Sequence, residues 1–315
     1  MKKLWNASAP LTAVGILMLG ALAVSVAGIW LEPTTIGGAP AWLKPAKFAA
    51  SIAIYSLTLA WVFTHLPAWT RMRRNVGWAT AAAMVIELVI IDVQAWRGTT
   101  SHFNVGTLLD GVLFTIMGVT IVAQTLTSIA VAVALWRERL DDFPLGWALR
   151  LGMTMTIVGA LSGGLMTQPT SQQLADARAM KVMKVAGAHT VDGPDGGPGL
   201  PGTGWSTEHG DLRVPHFVGL HALQALPLFT LLLPRRWSTR TRARIVWVAA
   251  TSYAALFGIL MWQALRGQSI VAPDAATVSV LAVWVALTVA AALLATFTRG
   301  SQSQRLVAYA GERLS

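Results

Sequence analysis

The residues best placed for chemistry lie between Glu87 and Asp110, in the stretch ELVIIDVQAWRGTTSHFNVGTLLD. It starts inside an apolar run, leaves it through Gln94, Arg97, His102 and Asn104, and re-enters one carrying Asp110. An acid near the centre of a bilayer costs about 2.5–3.5 kcal/mol, so carboxylates here need a purpose. Glu87 and Gln94 are seven residues apart and share one stripe of a helix. Asp92 lies about 140° round from Glu87 and faces another neighbour. A proton relay, a metal ligand or a general base would suit these acids. Asp110, near the start of the next helix, is an anion that a helix N-terminus favours.

A second group is His216 and His221, preceded by Asp211, Arg213 and Pro215. Pro215 suits the first position of a helix. Five residues separate the histidines, whereas zinc-binding pairs on one helix prefer four. His221 and Gln224 share a face. With His102, these imidazoles and Glu87 form the candidate ligand set for a metal ion, or for haem: His216, His221, His102 and Glu87. The candidate catalytic groups are Glu87, Asp92, His102 and His221. Arg97 and Arg266 end two helices and could hold an anionic cofactor group or a lipid phosphate. Lys44 and Lys47 flank Pro45 and invite the same use. His65 reads as interfacial, and His189 and His209 as solvated loop residues.

Helices in a membrane must position these groups. The chain is 54% hydrophobic and 12% charged, against about 25% charged in soluble domains. Eight apolar runs have the length a bilayer needs: 11–31, 46–66, 77–96, 107–135, 146–166, 215–233, 243–265 and 277–297. The fold class is therefore all-α, a polytopic membrane bundle. Met1-Lys2-Lys3 and the apolar run after it also suit a signal peptide, but a retained first helix is preferred. The net charge of +10 sits in short loops between the runs, which explains it without nucleic acid. With the N-terminus inside, fifteen Lys and Arg fall in inner segments and eight in outer ones, while Arg150 snorkels inward. This predicts a cell-membrane protein with both termini cytoplasmic and the long loop 167–214 outside, as a lid or linker. Ser171 is a candidate N-cap for a helix in that loop, and 192–204 is rich in turns. There is no cysteine, so thiolate metal sites and cysteine nucleophiles are excluded.

The chain also matches itself at an offset of 169. Residues 45–98 and 214–267 share 14 identities in 54 positions, the clearest being Gln94-Ala-Trp-Arg-Gly98 with Gln263-Ala-Leu-Arg-Gly267. This predicts two tandem four-helix halves, 1–140 and 141–315, in parallel pseudo-symmetry. In the match Glu87 falls on Leu256 and Asp92 on Met261, while Ile52 falls on His221 and Lys47 on His216. One half carries acids and the other imidazoles. Two four-helix halves resemble the architecture of haem A synthases, which place histidine ligands on helices of both halves. Here the eighth run has no histidine and the first half has none in a helix core, so the ligand assignment is not carried over. No phosphate loop, His-Glu-x-x-His helix or Gly-x-Ser-x-Gly elbow is present.

Three functions fit these residues. The first is a metal- or haem-dependent membrane enzyme, redox or hydrolytic, with an outward-facing site for a small molecule or a lipid. The second is a proton-coupled small-solute transporter using Glu87 and Asp92. The third is a non-catalytic membrane partner or assembly factor. A site open to one side, with histidine and carboxylate converging, favours the enzyme; a polar path reaching Arg71 or Arg139 favours transport.

Overall fold

The computed structural model describes residues 1–179 and 181–297. Arg299, Arg305 and Arg313, part of the charge count above, lie outside them. Eleven α-helices are described: α1 (Lys2–Ala7), α2 (Ala9–Leu31), α3 (Leu43–Phe63), α4 (Thr70–Trp96), α5 (Leu108–Arg137), α6 (Phe143–Ser162), α7 (Ser171–Arg178), α8 (Arg213–Leu220), α9 (Ala222–Leu232), α10 (Thr239–Leu265) and α11 (Ala275–Phe297). Seven are long and apolar enough to cross a membrane, and α8 with α9 makes an eighth span if the bent pair is one. The described residues are those of a predominantly helical, multi-pass membrane protein. Large apolar side chains such as Leu17, Val122, Leu287 and Leu294 stay exposed on the outsides of the helices, where lipid would cover them.

Local chemistry sets the helix starts. Asp142 accepts from Leu145 N at 3.0 Å, with Pro144 in the first turn of α6. Ser238 accepts from Thr241 N at 3.2 Å to open α10. The helix expected at Ser171 is capped one residue earlier. Thr170 accepts from Gln173 N, and Gln173 Oε1 accepts from Thr170 N at 2.9 Å, a reciprocal box. Pro215 stands in the third position of α8 rather than the first, because Leu212 takes the cap place.

The sixth span is broken where the sequence reads as one run. α8 and α9 meet at His221 with a bend of 50°. The cause lies in α6, which crosses the break with its backbone in contact. A Cβ built on Gly159 would lie 2.4 Å from Gly219 C. Thr156 then stitches the broken ends together. Its hydroxyl donates to Leu220 O and accepts from Leu223 N, both at 3.1 Å. Of the small residues at 159–164, Gly164 meets nothing within 4 Å.

The loops gather into a cap at one end of the bundle. Segment 99–107 pairs with 184–186 through Val105 N to Lys184 O and Ala186 N to Phe103 O. Strands Thr190–Val191 and Gly210–Asp211 form a short ladder. Ser269 Oγ donates to Ser206 O, tying the cap to the α10–α11 turn. The opposite end is apolar and tight. Leu59, Val62, Phe63, Leu66, Val131, Leu135 and Leu149 are fully buried there in one cluster.

Candidate functional site

Glu87 lies on α4, below the cap, with its side chain only 4% exposed. His102 hangs down from the 97–107 loop, and its Nε2 stands 3.6 Å from Glu87 Oε1. Lys44, in the first turn of α3, donates from Nζ to His102 Nδ1 at 3.0 Å. With Lys44 as an ammonium, which has only hydrogens to offer, Nδ1 accepts and the ring proton sits on Nε2, facing Glu87. Ser101 Oγ stands 3.2 Å from the same Nδ1. Phe48, one turn after Lys44, packs its ring 5.6 Å from the imidazole. Glu87 Oε2 is buried with no hydrogen-bond partner among the described residues. The result is an ammonium, an imidazole and a carboxylate in line, with one oxygen unused. The 3.6 Å separation is longer than a hydrogen bond, and a small movement of the His102 ring would bring Nε2–H onto Glu87 Oε1.

Above them the cap supplies a second imidazole. His189 packs on Phe103 with ring centroids 4.8 Å apart and pairs through Nδ1 with Asp195 at 2.7 Å. Read from the sequence as solvated, it is three-quarters buried. The Asp195 carboxylate also accepts from the backbone of His189 and Thr190, which turns the loop back on itself. Burial alone would raise the Asp195 carboxyl, but the His189 bonds hold it below the usual range. Burial holds His189 below the ordinary imidazole value, against Asp195. His102 is held well below it, by burial first and then by the charges of Lys44, His189 and His216.

These shifts have a consequence for the cap. An imidazole with a depressed folded value contributes stability that is complete above its unfolded value of about 6.5 and is lost as pH falls below it. The lowered Asp195 value acts only below about 3.8, through a different window. Acidification from neutral towards pH 5 is therefore expected to loosen residues 186–212. Hydrogen exchange, corrected for the pH dependence of the chemical step, should show protection falling there before it falls in α3 or α4. Equal protection at both pH values would contradict the assignment.

The sequence matches no family model, and no curated protein or solved structure matches it significantly. The site is therefore read from its own geometry.

The four proposed metal ligands go to different partners. His216 Nδ1 donates to Gly159 O at 2.7 Å, and His221 packs on Phe217 at the helix break, with ring centroids 4.3 Å apart. Only His102 and Glu87 meet. Among the described residues no three histidine or acidic side chains are placed to hold one metal ion. Asp92 has a buried Oδ1 with no hydrogen-bond partner among the described residues. The arginines expected to hold an anion are occupied by the chain. Arg97 pairs with Asp110 at 2.7 Å, beside Gln94, and Arg266 pairs with Asp274. Thr107 caps α5 by accepting from Asp110 N at 3.2 Å, and its hydroxyl donates to Asp110 Oδ2 at 2.6 Å. His65 sits at the opposite end against Trp61.

An open groove of about 570 Å³ runs along Val105–Ile116 on the outside of α5. None of its lining residues titrates, and neither Glu87 nor His102 is among them. The partners that the sequence did not single out are Lys44 for His102, and Asp195 and Asp274. The one sequence signal for the first is the Lys44–Phe48 spacing of a helical turn, which sets an ammonium beside an aromatic ring.

Proposed function

We propose that the chain is a membrane enzyme whose acid–base centre is Glu87–His102–Lys44, opening to the outer face of the cell membrane. The observation that carries this reading is the ring of His102 held between an ammonium and a carboxylate, with Glu87 Oε2 left unpaired. In that arrangement Glu87 is the base, His102 orients its carboxylate through Nε2–H, and Lys44 fixes the tautomer and balances the charge. The metal or haem part of the expectation is set aside, because His216 and His221 bind separate partners. Arg97 and Arg266 act as braces that lock α4 to α5 and α10 to α11.

Two supports come from the rest of the chain. The apolar cluster at the end opposite the cap separates Glu87 from Arg71 and Arg139, which suits a site open to one side. The Lys and Arg count favours the cytoplasm for that sealed end and for both termini. The division into halves 1–140 and 141–315 draws on repeated local geometry. α4 and α10 are each 27 residues long. Gln94 and Gln263 each donate to the backbone six residues on, and Gly98 and Gly267 both have positive φ, 70° and 69°. One half of such a duplication would keep the acid and the other the histidines.

Proton-coupled transport is the second reading. It draws on a buried network further along the same bundle, where Tyr55 Oη meets Ser128 Oγ at 3.1 Å and accepts from Gln124 Nε2 at 2.9 Å. Proteoliposomes separate the two readings. The enzyme reading expects a pH gradient to decay no faster through the wild type than through Glu87→Gln. A gradient that collapses through the wild type and is held by Glu87→Gln would replace it with transport.

A further inference from the structure

Lys47 lies on α3, one turn beyond Lys44, and projects beside the cap. Its ammonium has three hydrogens, and its one hydrogen bond among the described residues goes to a backbone oxygen, Thr203 O, at 2.9 Å. No carboxylate among the described residues pairs with it. The next carbonyl, Gly204 O, accepts from Arg213 Nη2 at 2.6 Å. Arg213 is also paired with Asp211 at 2.6 Å, so the excess positive charge belongs to Lys47. Two cations from different helices thus converge on adjacent carbonyl oxygens of one turn. A neutral carbonyl accepts the hydrogen bond but supplies no opposite charge, which an anionic acceptor would add.

We infer that Lys47 and Arg213 form a binding site for a phosphate-type anionic group, covered in this structure by the Pro201–Gly204 turn. The turn's two carbonyl oxygens take the positions of the anion's oxygens. The turn is built to move as a unit. It closes on itself through Gly204 N to Leu200 O at 2.8 Å and Leu200 N to Trp205 O at 2.8 Å. Gly202 and Gly204 have φ of 75° and 67°, a conformation glycine adopts without strain. Pro201 and Gly202 are exposed at its tip. Lifting the turn together with Leu200 and Trp205 would break its bonds to Lys47 and Arg213 and part Trp205 from Phe217, while leaving its own bonds intact.

The site adjoins Lys44, so an anion held there would stand next to His102. This makes it the substrate's anchoring group in the acid–base reading, and the substrate class an anionic, phosphate-bearing molecule. The significance of the site rests on that reading; the binding itself does not. Lys47 lies one turn inside the cap end of a span, the level of lipid headgroups, so the phosphate could belong to a lipid or be free.

The chain has no cysteine, so Pro201→Cys gives a single site for a spin label. The labelled protein, in a phosphate-free detergent, is titrated with inorganic phosphate and, separately, with phosphatidylglycerol. A saturable rise in label mobility is expected, weakened at least about tenfold in Lys47→Gln and restored in Lys47→Arg. A response to phosphate identifies a soluble ligand, and a response to phosphatidylglycerol alone identifies a lipid headgroup. Glu87→Gln should keep a saturable response, so failure of the acid–base reading would leave this result standing. No saturable response to either, or an equal response in Lys47→Gln, overturns the inference. If Lys47→Gln is not recovered folded, an equal response to chloride at matched ionic strength overturns it.

Discussion

Gly159→Val is expected to prevent recovery of the folded protein, or to cost at least the upper end of the about 1–3 kcal/mol that overpacking usually costs. A Cβ at Gly159 would lie 2.4 Å from Gly219 C and 2.5 Å from Leu220 N, and one at Gly219 would lie 2.4 Å from Gly159 Cα. Both obstacles are backbone, so neither can rotate aside. The helices would have to separate, and separation also breaks the Thr156 bridge that satisfies Leu220 O and Leu223 N. In lipid those groups find no water. Gly164→Val on the same segment should be tolerated, because nothing lies within 4 Å of it. Denaturation in mixed micelles measures the pair. Equal tolerance of both variants would show that the crossing at Gly159 is looser than described.

Glu87→Leu is expected to cost about 3 kcal/mol, the lower end for stranding one partner of a buried charged pair. Glu87 and Lys44 face one another across the His102 ring. Removing the acid leaves the ammonium against apolar side chains and a neutral ring. Lys44→Met should strand the carboxylate at a similar cost. The double variant, in which neither charge remains, should recover more than half of either loss. The same denaturation assay gives the coupling energy from the four proteins. Additive losses would mean that the two charges do not sense each other.

The architecture was legible because membrane helices announce themselves by length and apolarity. α2, α4, α10 and α11 all run where the apolar stretches do. The break at His221 was hidden, because its cause is Gly159 and Thr156 in another helix. The site was half legible. Glu87 and His102 stood out as polar groups in an apolar setting, and they do meet. The metal set was not brought together, because His216 is consumed by Gly159 O and His221 faces Phe217. Arg97 and Arg266 looked available for a ligand because each is paired across a loop. Their carboxylates, Asp110 and Asp274, lie 13 and 8 residues away, and sequence spacing alone does not reveal such contacts. His189 was misjudged for a similar reason: a glycine-rich loop reads as solvated, yet Asp195 folds it onto Phe103.

The most direct measurement is nitrogen NMR of the His102 imidazole as a function of pH, in the wild type, Lys44→Met and Glu87→Gln. If the three groups are one centre, His102 carries its proton on Nε2 and titrates well below the ordinary imidazole value. Its titration should move upward in Lys44→Met, where the neighbouring ammonium is gone, and the Nε2 signal should shift in Glu87→Gln. A His102 that titrates as a free imidazole and responds to neither substitution would contradict the centre, and the enzyme reading with it.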